Sequence, residues 1–196
     1  MWNQISYLNL LLNRNKSCQS IIELSEHRKI NLLLPAFSIA ETYETVIRRA
    51  KQRERLTREI VREVQQLSRS KSYKDRSQTL QTVTSLLTRS IEEEQARLNA
   101  TLEDILRIAK TIPLNHTILT EATRFQASLN LLPQDAIVYA SVLEHLKGTS
   151  GQQHCFLNRN SKDFDDPEIV DVLKSFQCKI MFHFEHGLNY IVNQTG

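Results

Sequence analysis

Two apolar stripes at helical spacing dominate the middle of this chain. The first runs Ile39, Tyr43, Val46, Ile47, Ala50, Leu56, Ile60, Val64, Leu67. The second runs Leu80, Val83, Leu87, Ile91, Leu98, Leu102, Ile105, Leu106. Neither arm holds a glycine or proline, and the polar stretch Ser68 to Asp75 separates them. Spacing of three and four residues defines one face of an α-helix. The pattern therefore predicts a helical hairpin at about 50–108, with arms very roughly 40 Å long at 1.5 Å rise per residue. Arms of that length outrun a compact core, so part of the hairpin is expected to project.

The hairpin's first arm and tip are basic. Positions 48 to 76 hold eleven cations, Arg48, Arg49, Arg55 and Arg62 among them, against four carboxylates, an excess of seven over a whole-chain net charge of +3. Such a footprint points to a nucleic-acid or acidic partner. The bland alternative is a solvated helix laced with Arg–Glu pairs at i,i+4, such as Arg55 with Glu59. Glu92, Glu93 and Glu94 on the second arm would neutralise part of the excess across the hairpin.

Outside the hairpin, short apolar runs alternate with helical patterns. Residues 5–12 could be strand or helix, and lean to helix because Ile5, Leu8 and Leu12 share a helical face. An amphipathic helix is expected at 17–28, with Cys18, Ile21, Ile22 and Leu24 inward, then a strand at 30–34 closed by Pro35. Helices at 118–129 and 136–146, a strand at 155–157, a helix at 167–176 and a strand at 178–184 complete the reading. Asp166 and Pro167 are expected to cap and open the 167–176 helix. This alternation indicates an α/β class. With 196 residues, 40% hydrophobic, the chain suits one domain, 1–196, carrying the hairpin as an insertion. No apolar run nears the roughly 20 residues that span a bilayer. No secretory signal is visible, and three unpaired cysteines fit a reducing cytoplasm.

Three carboxylates stand where strand-like or turn sequence meets a helix start: Glu41, Asp135 and Asp163. Open α/β sheets place their sites at strand carboxyl ends. Clustered carboxylates raise one another's pKa, and a hard divalent cation, Mg²⁺ or Mn²⁺, relieves that cost. Each has a structural alternative. Glu41 lies three residues after Ser38, the spacing of a capping box. Asp135 suits a helix N-terminus, and Asp163 suits a turn. The chain has no Gly-rich phosphate loop, no Gly-flanked serine, no CxxC and no histidine pair at metal spacing, so no rival chemistry competes.

The segments Ile30–Glu41, Leu132–Ala140 and Phe156–Phe164, the last reading Phe-Leu-Asn-Arg-Asn-Ser-Lys-Asp-Phe, resemble in order and spacing three acidic motifs of the PIN-domain family of metal-dependent ribonucleases. The resemblance covers both ends of the chain, with the hairpin as an enlarged version of the family's central helical pair. It implies a PIN-like α/β/α sandwich with a short parallel sheet, RNA as substrate and Mg²⁺ or Mn²⁺ as cofactor. It also implies Glu41, Asp135 and Asp163 as metal ligands, with Asn160 as a polar neighbour of the metal water. Many members are toxins with an antitoxin protein partner, and many form a homodimer.

The family opens with an apolar strand ending in an acidic residue, then Thr or Ser, then Asn. Matching that Asn to Asn3 puts the acidic position at Met1, so the first strand and its carboxylate are expected to be absent. Asn158 also stands where the family often has Ser or Thr. Two readings follow: a metal-dependent endoribonuclease acting by in-line hydrolysis, or a non-catalytic module that grips nucleic acid or protein with the basic hairpin.

Overall fold

The computed structural model describes residues 2–6, 16–69, 77–149 and 151–195. Five strands, β1 (Trp2–Ser6), β2 (Ile30–Pro35), β3 (Lys110–Ile112), β4 (His154–Leu157) and β5 (Cys178–Met181), form one sheet in the order β3-β2-β1-β4-β5. Every pairing is parallel. The described helices are α1 (Lys16–Glu26), α2 (Ala36–Leu67), α3 (Ser77–Ile108), α4 (His116–Ser128), α5 (Pro133–Lys147), α6 (Ser161–Phe164), α7 (Pro167–Ser175) and α8 (Phe184–Thr195).

Parallel strands covered on both faces read as continuous apolar runs. All four residues of β4 are buried, and β2 is buried at five of six positions. Alternation along β4 sends His154 and Phe156 to one face, where they meet His145 of α5 and Phe164 of α6. Leu157 points to the other face. There α8 comes so close that a Cβ added to Gly187 would stand 2.2 Å from Leu157 Cδ2. The main core, with Tyr139, Val142, Phe156, Phe164, Ile169 and Leu173, fills the α5 side.

The first strand corrects the sequence reading. Trp2–Ser6 is the central strand, pairing Ile5 with Leu33 on one side and with Phe156 on the other. Ile5 and Ser6 thus lie in a strand and not in a helix, since periodicity cannot separate the two in a short apolar run. What settles β1 is pairing with residues about 28 and 150 positions away, which no local pattern contains. Residues 7–15 lie outside the described set. The register also moves Asn3: it pairs with His154, at the amino end of β4 and not at the carboxyl edge.

Two smaller differences concern length. β3 has three residues, too few to show a period of two, and the sequence did not signal it. The final apolar run ends as a strand at Met181 and not at 184, and gives way to α8. Helix α2 starts at Ala36, two residues before Ser38, so Ser38 does not occupy the cap position. Asp166 behaves as expected, accepting a hydrogen bond from the Glu168 amide at 2.8 Å with Pro167 in the first helical position.

By contact density the chain forms two compact units, Met1–Ala40 with Leu102–Gly196, and Glu41–Thr101. The first carries the sheet. The second is the greater part of α2 and α3, each 32 residues and so about 48 Å long. Of the expected tip, Ser68 to Asp75, Ser68 and Arg69 form a turn and the rest lies outside the described residues.

Candidate active site

The strand order reverses beside β1, since β2 leaves to one side and β4 lies on the other. Ligands of open α/β sheets bind at such a switch point, beyond the strand carboxyl ends. At that edge Ser6 ends β1 and pairs with Leu157, the last residue of β4. The turn Asn158–Asn160 and α6 follow directly, so the segment from Asn158 to Asp163 stands at the carboxyl edge.

Asn160 organises this edge. Its side-chain Nδ2 donates to Asp163 Oδ2 at 2.6 Å and to Asp135 Oδ2 at 3.2 Å. Both partners are acceptor-only when ionised, so the amide's two hydrogens satisfy one oxygen on each. Asn160 sits at the N-cap of α6 yet makes no side-chain cap bond there. Its backbone amide is fixed by Asn158 Oδ1 at 2.9 Å. Asn158 is 2% exposed, and its Nδ2 has no hydrogen-bond partner among the described residues.

Aromatic packing sets the two carboxylates in place. Asp163 precedes Phe164, which is fully buried and meets Phe156 at 5.6 Å and Tyr139 at 6.3 Å. Asp135 lies one helical turn before Tyr139, in the first turn of α5. The pair is thus anchored from β4, α5 and α6 together. Asp135 is 7% exposed. Burial pushes its carboxyl above the ordinary range; the Asn160 hydrogen bond counters this, and the neighbouring Asp163 charge adds to the rise.

The structure therefore brings together Asp135, Asp163 and Asn160. Glu41 is half-buried on α2, in the second unit. Asp165 and Asp166 are exposed, and Asp166 serves α7 as its cap. No group of three or more His, Cys, Asp or Glu side chains suited to a metal ion occurs among the described residues. β1 supplies no carboxylate, because the chain's first acidic residue is Glu23. Ser6 is the position that the sequence reading missed, hidden by the misread strand.

The second unit carries the basic residues. Arg49 pairs with Glu94 at 3.3 Å, Arg53 pairs with the other oxygen of Glu94, and Arg55 pairs with Glu59 at 3.5 Å. The expected neutralisation across the hairpin thus falls on Glu94. Arg48 and Arg62 are exposed.

Paired carboxylates thus stand at the switch point of a parallel α/β sheet, where proteins of this class bind ligands. A family model described as PIN domain matches residues 3–164, and the chain belongs to the PIN-domain family. Comparison with curated proteins and with solved structures returned no match. Members of the family are generally nucleases, typically use divalent metals and act on RNA, which gives this chain a nuclease-like function at that coarse level. No helix among the described residues is long and apolar enough to cross a membrane.

Proposed function

We propose that this chain is an endoribonuclease whose Asp135 and Asp163 hold one Mg²⁺ or Mn²⁺. The observation that carries the reading is the Asp135–Asn160–Asp163 network at the β4 carboxyl edge. The donor set fits the ion: hard oxygens suit it, and Mg²⁺ is commonly held by one or two carboxylates together with water and substrate phosphate. The raised Asp135 carboxyl fits too, since crowding of like charge is what a cation would relieve. A bound ion would lower the pKa of a coordinated water and neutralise charge at the phosphoryl group. The chain's own residues hold and orient: Asn160 fixes the separation of the two carboxylates, and Phe164 and Tyr139 fix the elements that bear them.

The test is Mn²⁺-dependent cleavage of single-stranded RNA. Asp135→Asn and Asp163→Asn are each expected to lower the rate on the order of 10³-fold. Asn160→Ala, which leaves the ligands but frees their spacing, is expected to cost about 10–100-fold. Native-level cleavage by both Asp variants would overturn the site. A second reading rests on β1, Trp2–Ser6, having no acidic residue of its own. It takes the chain as an RNA-binding member that does not hydrolyse, and predicts metal-independent binding with no Mn²⁺-stimulated cleavage by the native chain.

A further inference from the structure

The cations of α2 are ordered along the helix. Arg48, Lys51, Arg55, Arg58 and Arg62 follow one another at spacings of three and four residues, and all five are exposed. They lie about half a turn from the inward positions Val46, Arg53, Thr57, Ile60 and Val64, which are buried or half-buried. From 48 to 62 the outward stripe is therefore mostly cationic, with Glu59 paired to Arg55 within it and Gln52 and Glu54 exposed at its flanks. The row spans about 21 Å, one charge per about 5 Å of axis. Arg48, Lys51, Arg58 and Arg62 form no ion pair among the described residues. Arg55 has only its exposed pair with Glu59, a contact worth a few tenths of a kcal/mol that yields readily to a stronger anion. Arg69, also exposed, stands at the turn beyond the helix.

We infer that this row is a docking track for the sugar-phosphate backbone of an RNA strand. A line of single charges matches a polyanion lying along the helix, whereas a lone phosphate would touch one or two of the five. The row also lacks what a protein partner needs. Protein interfaces have an apolar core, and of the exposed apolar residues of α2, Tyr43, Leu56, Val61 and Leu67 lie towards the inward side by helical position while Ile47 alone borders the row. No aromatic ring lies in the row, so base stacking is absent and the track reads charge without sequence. This inference adds a second contact to the RNA reading above and rests on it only for the choice of RNA as polyanion.

The experiment uses the full chain in EDTA, with fluorescence anisotropy of labelled oligouridylate and oligoadenylate. Five contacts to a single strand predict about 100-fold weaker binding between 50 and 200 mM salt, alike for both oligomers. The combined variant Arg48→Gln, Lys51→Gln, Arg55→Gln, Arg58→Gln, Arg62→Gln removes charge but keeps helix propensity. It is expected to lose most of that salt dependence and at least tenfold in affinity, with unchanged circular dichroism. A control changing Arg89, Arg97, Arg107, Arg124 and Lys147 to Gln is expected to retain the native slope. If the two variants lose binding equally, or the row variant keeps the native slope, the track is wrong. Binding of polyglutamate but not RNA by the native chain would equally overturn it. Asp135→Asn separates the two proposals, since it removes cleavage and leaves the metal-free salt slope intact.

Discussion

In the sheet-bearing unit, two carboxylates are drawn out of water and held by one amide. In the helical unit, a row of cations stays in water, with only the exposed Arg55–Glu59 pair within it. Both are concentrations of like charge, but they are maintained differently. Asp135 and Asp163 are kept together because Phe156, Phe164 and Tyr139 lock β4, α6 and α5 into one core. The α2 cations are kept together only by helix geometry, and solvent screens their repulsion. A buried charge and its half-buried neighbour need a scaffold, whereas an exposed row needs only a straight helix. The scaffold is the part of this molecule that mutation can break.

The largest expected effect tests that scaffold. Phe164→Ala is expected to cost about 3–5 kcal/mol, as large-to-small changes at fully buried aromatics do. Leu86→Ala, at a side chain 61% exposed in the helical unit, is expected to stay within about 0.5 kcal/mol. Urea unfolding of both variants gives the comparison. A cost below 1 kcal/mol at Phe164 would remove the aromatic account of how Asp163 is placed.

A smaller effect concerns Glu94, the helical unit's one strongly shared carboxylate among those described. Its side chain is 15% exposed and accepts from both Arg49 and Arg53. Glu94→Gln is expected to lower stability by about 1 kcal/mol, at the upper end for pairs near a surface. Added salt should shrink the loss. Thermal unfolding at low and high salt measures it, and a loss that salt leaves untouched would mean packing, not charge, holds Glu94.

The sequence disclosed these regions unequally. The hairpin was legible because its signal is local: stripes at spacings of three and four, unbroken by Gly or Pro, need no distant partner. So was the Asp166–Pro167 start of α7, where cap and first residue are adjacent. Asp135 and Asp163 were singled out from their places at helix starts, but their sharing of Asn160 depends on how the chain folds between positions 25 apart. The error fell on β1. Its identity lies in the partners Ile30–Leu33 and His154–Leu157, and no residue within Trp2–Ser6 announces them. Expecting that strand to be absent misplaced Asn3 and hid Ser6.

The last prediction separates the two regions by sign. Removing the Glu94 charge should destabilise its unit, whereas removing the Asp135 charge should stabilise the whole fold. Burial raises the Asp135 carboxyl above its ordinary value, the Asp163 charge adds to this, and the Asn160 bond offsets only part. In the unfolded chain the same group titrates near pH 3.9. Between that value and the folded one, the folded state binds more protons. Stability therefore falls as pH rises through this window, and the deficit persists at neutral pH. Asp135→Asn has no such titration, and its side-chain oxygen still accepts from Asn160. The variant's Tm is expected to exceed the native Tm at pH 7 in EDTA, with the gap narrowing as pH falls towards 4. Mn²⁺ should raise the native Tm and leave the variant's largely unmoved, because a ligand that binds only the folded state stabilises it in proportion to its affinity. A variant less stable than the native chain at pH 7 would show that the Asp135 charge is satisfied by its neighbours, and that the crowding a cation would relieve does not exist.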